Sequence, residues 1–167
     1  MRVSDTQPWA AIDHDGRVPA DGVRGRERHT DDEIDELLRR TRSVAVVGVS
    51  SNSQRPSRRV AAYLIGATGW TVHLVNPNVD RVLGRQVYAS LADLPEPPDI
   101  VDVFRRTEHL RTVTEQAIAA GAGAVWFQLG LVDPDASAIA IAAGLDVVQD
   151  RCLRVEHFRM THTVRRP

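Results

Sequence analysis

The stretch Ser43-Val44-Ala45-Val46-Val47-Gly48-Val49-Ser50-Ser51-Asn52-Ser53-Gln54-Arg55-Pro56-Ser57 decides how this chain folds. It opens as an apolar run rich in β-branched residues, the pattern of a strand buried on both faces. Gly48 breaks the run into small polar residues, and Pro56 with Ser57 opens a helix through Arg58, Val60, Ala61, Tyr63, Leu64 and Ile65. Proline forfeits nothing at the first helical position, because its missing N–H would have had no intrahelical partner. Strand, tight turn and helix in this order aim backbone N–H groups and the positive end of a helix at one spot. That geometry suits a phosphate.

Working outward, residues 1–28 are polar, carry Gly16, Pro19, Gly22 and Gly25, and show no period; they read as a loosely ordered leader. Thr30 with Glu33 three residues on matches a capping box, and Ile34, Leu37 and Leu38 mark one apolar stripe of a first helix that packs beside the sheet. After the organising unit, Trp70 to Val75 reads as a second strand closing on Asn76-Pro77-Asn78. Residues 79–98 are irregular, with a short extended piece at Gln86-Val87-Tyr88 and one helical turn from Ser90 to Leu94. Asp99 to Phe104 is a third strand, followed by a helix from Thr107 or Glu108 to Ala120. Ala124 to Gln128 is a fourth strand, Asp133-Pro134 starts a helix through Ala143, and Leu145 to Val148 is a fifth strand with Cys152 just beyond it. Repeated strand and helix alternation with short links implies a single α/β domain, a Rossmann-like, doubly wound parallel sheet in order 3-2-1-4-5. The domain is expected over residues 29–160, with 161–167 as a tail.

Composition removes several function classes. The net charge of −1 offers no electrostatic footprint for nucleic acid, and no stretch approaches the roughly 20 apolar residues that cross a bilayer. The start of the chain, with Asp5, Trp9, Asp13 and Asp15, lacks the apolar core of a signal peptide. One cysteine excludes an internal disulfide framework, and a cytoplasmic protein is expected. All 21 basic residues are arginines. Without lysine there is no Walker-type phosphate lysine, no Schiff base and no Tyr/Lys dehydrogenase pair.

Ligands of such sheets bind outside the carboxyl ends of the strands. Here those ends are Gly48-Val49-Ser50, Asn76-Pro77, Phe104-Arg105-Arg106, Gln128-Leu129-Gly130 and Asp150-Arg151-Cys152, which are small, polar or basic. They supply no metal-ligand cluster and no close carboxylate pair. The six histidines share no ligand spacing, and Asp99 and Asp102 are placed at the two ends or opposite faces of a strand, which disfavours a catalytic dyad. A nicotinamide dinucleotide is disfavoured at two places. The expected G-x-G-x-x-G becomes Gly48-x-Ser50-x-x-Ser53, and the second strand ends in Asn76-Pro77 rather than in the acid that holds a ribose hydroxyl.

Val47-Gly48-Val49-Ser50, Arg55-Pro56-Ser57, Val75-Asn76-Pro77, Asp102-Val103-Phe104-Arg105-Arg106, Val125-Trp126-Phe127-Gln128-Leu129-Gly130 and Asp150-Arg151-Cys152 together resemble the small stand-alone CoA-binding proteins. That family is similar to the CoA-binding domain of the succinyl-CoA synthetase α subunit, and the resemblance spans roughly residues 30 to 158. It implies coenzyme A along the strand ends, with Ser50, Ser51, Asn52, Ser53, Arg55, Pro56 and Ser57 receiving phosphates. Asn76 and Pro77 would border the adenosine part, and Val103, Phe104 and Arg105 would line the next strand end. Gln128 matches a position where the synthetase carries a glutamate near the ligand, and Asn78 stands where that domain often has a basic residue. The synthetase also needs a second domain with a phosphorylated histidine and a nucleotide-grasping partner subunit, so a complete ligase is not expected of this chain.

Several residues keep two readings. Ser50 to Ser53 is a ligand loop or a polar turn, and Asn76-Pro77 a ligand border or a strand stop. Phe104 packs or recognises, and Trp126 reads as core. Cys152 is a small buried residue or, beside Arg151, faces the thiol end of the ligand. The expectation is a binding or regulatory module for CoA or an acyl-CoA with no catalysis of its own, with a protein partner or homo-oligomer compatible. The alternatives are a subunit of an acyl-CoA-processing enzyme and an NAD(P)-binding protein with a degenerate glycine pattern.

Overall fold

In the computed structural model the described residues are 25–163. Their centre is β1 (Ser43–Val47), buried along its whole length. Val44 and Val46 face one apolar layer, while Ala45 and Val47 face the other. The first layer is built by α1 (Asp31–Arg40), α2 (Pro56–Ala67) and α5 (Leu153–His162); the second by α3 (Leu110–Ala119) and α4 (Pro134–Ala142). The side-chain alternation of a strand feeds both layers at once, which is why an uninterrupted apolar run marks the middle of a doubly covered sheet.

The sheet also contains β2 (Thr71–Val75), β3 (Arg81–Val82), β4 (Arg85–Tyr88), β5 (Ile100–Val103), β6 (Ala124–Phe127) and β7 (Asp146–Val148). Its order is β3-β4-β2-β1-β5-β6-β7, parallel except for the β3–β4 hairpin. The Rossmann-like class is therefore as expected, but the strand order needs correction. Counted as five principal strands, the order 3-2-1-4-5 would put the Asp99–Phe104 strand outside β2. Instead Val44 to Val47 pair with Ile100 to Val103, and the outer edge of β2 is taken by the short strand β4, read from sequence only as an extended piece. That arrangement makes the carboxyl end of β1 the switch point, with β2 on one side and β5 on the other.

The first helix begins as its sequence dictates. Thr30 Oγ1 accepts from Glu33 N at 3.3 Å, and Glu33 Oε2 accepts from the Thr30 and His29 amides, each at 3.0 Å. These backbone donors hold the Glu33 carboxyl down to about 2. Ile34, Leu37 and Leu38 are buried beneath it, each supplying roughly 1.5–3 kcal/mol relative to exposure.

The expected leader is corrected at its end. Residues 1–24 lie outside the described residues, but 26–28 lie along β7 as a further parallel edge: Val147 N donates to Arg26 O at 3.0 Å and Arg28 N to Val147 O at 2.8 Å. The anchor is a guanidinium only 2% exposed. Arg28 donates to Asp146 Oδ2 at 2.9 Å and Glu36 Oε2 at 2.7 Å, and Arg40 also bonds Asp146. At the other end, α5 continues to His162, beyond the boundary expected at 160.

Candidate functional site

Gly48 is where β1 becomes a site. Its φ is +87°, and a Cβ there would lie 2.4 Å from the Phe104 carbonyl oxygen. A side chain would thus meet both a disfavoured backbone conformation and a clash with backbone. The close approach of the β1 turn to the end of β5 exists only because residue 48 is glycine.

The turn that follows is wired internally. Ser50 N donates to Ser57 Oγ at 3.1 Å, Asn52 N to Ser50 Oγ at 3.1 Å, Gln54 N to Asn52 Oδ1 at 2.9 Å and Arg55 N to Asn52 O at 3.1 Å. The expectation of a bend presenting its amides freely is corrected accordingly. Serine and asparagine side chains compete for nearby N–H groups, and here they win three of them, while the Asn52 carbonyl takes the fourth. Among the described residues the amides of Ser51 and Ser53 have no acceptor, and both residues are exposed. The start of α2 has no side-chain cap and no carboxylate in its first turn.

The electrostatics around that start are one-sided. Between Glu36 and Asp80 the chain carries no acidic residue, and among the described residues Arg55, Arg58 and Arg59 have no acidic partner. Arg55 and Arg59 are exposed; Arg58 is half-buried. An uncapped helix start ringed by unpaired guanidinium groups favours an anion.

The other expected residues separate into groups. Asn76 is a clasp: its Nδ2 donates to Val49 O at 2.8 Å and its Oδ1 accepts from Asn78 N at 2.9 Å, fastening the β1 turn to the β2 turn. Pro77 and Arg105 line a crevice of about 150 Å³ together with Gly48, Ser90 and His109, between the ends of β2 and β5. Val49 and Val103 do not line it with side chains, being fully buried in opposite apolar layers. Phe104 is half-buried against the layer of α1, α2 and α5. Pro56 and Cys152 lie on the other side, in a groove of about 470 Å³ between α2 and α5.

Gln128 is buried, and its Nε2 donates to Asp102 Oδ1 at 2.6 Å. Asp102 is 0% exposed, and its Oδ2 has no hydrogen-bond partner among the described residues. Burial pushes this carboxyl up to about 8, against the downward pull of the Gln128 amide. An amide at 128 therefore suits its neighbour better than a second carboxylate would. Sequence reading weighed Asp102 only as half of a disfavoured dyad with Asp99; the signal for its buried role is a carboxylate inside an otherwise apolar strand, Ile100-Val101-Asp102-Val103.

Cys152 is half-buried and stands at the N-cap of α5 without a side-chain capping bond. The core residue Trp126 holds this corner, its Nε1 donating to Arg151 O at 2.7 Å. The Arg151 guanidinium is engaged by the His29 carbonyl at 2.7 Å, Glu156 at 3.1 Å and Asp31 at 3.3 Å. Those acceptors occupy the charge that the sequence reading offered to the thiol. Helix α5 itself went unread in the sequence. Its Leu153 is buried, but Val155 and Phe158 are 56% and 52% exposed while Glu156 and His157 are buried, so no single apolar stripe announces it.

Among the described residues no helix is long and apolar enough to cross a membrane, and no three of His, Cys, Asp and Glu are grouped to hold a metal ion. The chain is 38% identical over 125 residues to the uncharacterized protein YneT of Bacillus subtilis (strain 168), covering 75% of this chain and 92% of that protein. A hypothetical protein from Pyrococcus horikoshii OT3 has a solved structure that superposes with a TM-score of 0.76 at 39% identity, covering 80% of this chain and 93% of that one. The structure of cell-free ID.343 from Thermus thermophilus superposes with a TM-score of 0.74 at 37% identity, covering 79% and 99%. A glycine-dependent turn at the switch point, an unpaired basic helix start and six sequence blocks in order agree with the family model matched over residues 42–158: the chain belongs to the CoA binding domain family.

Proposed function

We propose that this protein binds coenzyme A, free or acylated, across the carboxyl ends of the strands and acts as a binding or regulatory module without catalysis of its own. The observation that carries this reading is the start of α2: no side-chain cap, no carboxylate in its first turn, and Arg55 and Arg58 without acidic partners among the described residues. A pyrophosphate supplies the missing negative charge with no lysine required.

On this reading Arg55, Arg58, the amides of Ser51 and Ser53 and the serine hydroxyls of the turn hold the phosphates. The crevice lined by Pro77 and Arg105 takes the adenosine part, and the pantetheine arm runs over the strand ends towards Cys152. The groups gathered there are amide donors, arginines and one thiol, a set that binds and orients an anion. Asn76 and Ser57 serve by keeping the turn in shape. Membership of the CoA binding domain family supports the ligand class.

Titration calorimetry of the full chain with CoA, NAD and NADP side by side tests the reading. CoA is expected to bind tightest. A nicotinamide cofactor binding more tightly than CoA would overturn it.

A further inference from the structure

The groove between α2 and α5 has a composition that the phosphate turn does not explain. It is lined by Pro56, Val60, Val155 and Phe158, with Arg59 and Arg154 beside them. Val155 and Phe158 are more than half exposed on a helix whose buried face carries Glu156 and His157 beside Leu153. Apolar side chains facing outward while polar ones face inward mark a surface shaped for something other than packing.

The two arginines narrow the occupant. Among the described residues neither has an acidic partner. Arg59 donates to the neutral Gln54 Oε1 at 3.0 Å, and Arg154 lies 5.6 Å from the centre of the Tyr63 ring. A guanidinium held by an amide or an aromatic face keeps its capacity for a bidentate carboxylate. The groove starts at Pro56, the first residue of α2, and reaches Cys152, so it continues the path assigned to the pantetheine arm.

We infer that this groove receives the acyl end of an acyl-CoA, and that the acyl chain is short, aliphatic and terminated by a carboxylate. The inference rests on the CoA reading above and adds the ligand's acyl class. The apolar lining accepts the methylenes; Arg59 and Arg154 accept the terminal charge. An anion at these arginines has a second source in the ligand's own 3′-phosphate, and the experiment separates the two.

Calorimetry of the full chain with CoA, dephospho-CoA, butyryl-CoA and glutaryl-CoA reads the preference directly. Glutaryl-CoA, which is butyryl-CoA with one added carboxylate, is expected to bind about tenfold tighter than CoA, with butyryl-CoA in between. Arg154→Gln is expected to remove at least fivefold of the glutaryl preference while leaving CoA within about twofold. Phe158→Ser is expected to weaken both acylated ligands. Both residues are exposed, so these variants retain the fold. Equal binding of all acylated and free forms overturns the inference and leaves the CoA reading standing. An Arg154→Gln loss equal for CoA and glutaryl-CoA but absent for dephospho-CoA assigns the arginine to the 3′-phosphate and also overturns it. A dimer that dissociates on Phe158→Glu, with no acyl preference in the parent, gives the face to a second copy and does the same. Failure of every CoA form to bind removes the underlying reading as well.

Discussion

At the β7 edge Arg28 and Arg40 both close on Asp146, a carboxylate that is itself 0% exposed. Beside the carboxyl end of β1, Arg55 and Arg58 meet no carboxylate among the described residues, and the buried acid nearest the end of β5, Asp102, meets only an amide. The same sheet therefore handles charge in two ways. Where the edge has only to hold a chain segment, opposite charges are matched, because an unmatched buried ion costs several kcal/mol. At the proposed ligand site the guanidinium groups of exposed Arg55 and half-buried Arg58 keep contact with solvent, so their charge needs no carboxylate partner until an anion displaces the water. The buried acid in that region escapes the penalty by keeping its proton.

The largest expected effect comes from breaking the matched side. Asp146→Ala strips Arg28 and Arg40 of their shared partner. It should cost about 3–5 kcal/mol, read as a lower midpoint in urea denaturation, while CoA affinity stays within about twofold. A loss below about 1 kcal/mol would mean that the edge does not depend on the pair.

Asp102→Asn comes next, and it acts in the opposite direction. The folded carboxyl sits at about 8, whereas an unfolded aspartate titrates near 3.9. Between those values the native state binds a proton that the unfolded chain has lost, so stability falls as pH rises from about 4 to about 8 and is level above. Asparagine keeps the acceptor for Gln128 and removes the titration. The variant should match the parent near pH 4 and exceed it by roughly 2–4 kcal/mol at pH 8. Parallel denaturation curves across that range would show instead that Asp102 is ionised and compensated.

The smallest stability effect belongs to the open arginines. Arg55→Gln and Arg58→Gln should each leave folding stability within about 0.5 kcal/mol, yet weaken CoA by about tenfold through one lost charge-assisted contact. That loss should shrink at high salt. A variant that loses stability but keeps its affinity would move the arginine to the structural side of the comparison.

Legibility in the sequence followed how local the physics is. The apolar run of β1, the Thr30–Glu33 capping box, the Asp133-Pro134 helix start and the burial of Trp126 each depend on neighbours close in sequence or on simple periodicity. Helix α5 stayed hidden because its outward Val155 and Phe158 and its inward Glu156 and His157 invert the usual pattern. The turn after β1 was legible as a turn, but not as one whose serine and asparagine side chains already occupy three of its amides.

The chain's residue order by itself determined the alternation of strands and helices, the glycine at the end of β1, the lack of lysine and the acid-free span from β1 through β2, since each is a property of composition or of short-range pattern. Only the tertiary structure decided that β5 rather than β6 lies beside β1, that residues 26–28 join the sheet edge, that Gln128 answers Asp102, and that α2 and α5 enclose a groove edged by arginines with no acidic partner among the described residues. These depend on contacts between residues far apart in sequence, whose partners are set by how whole layers pack.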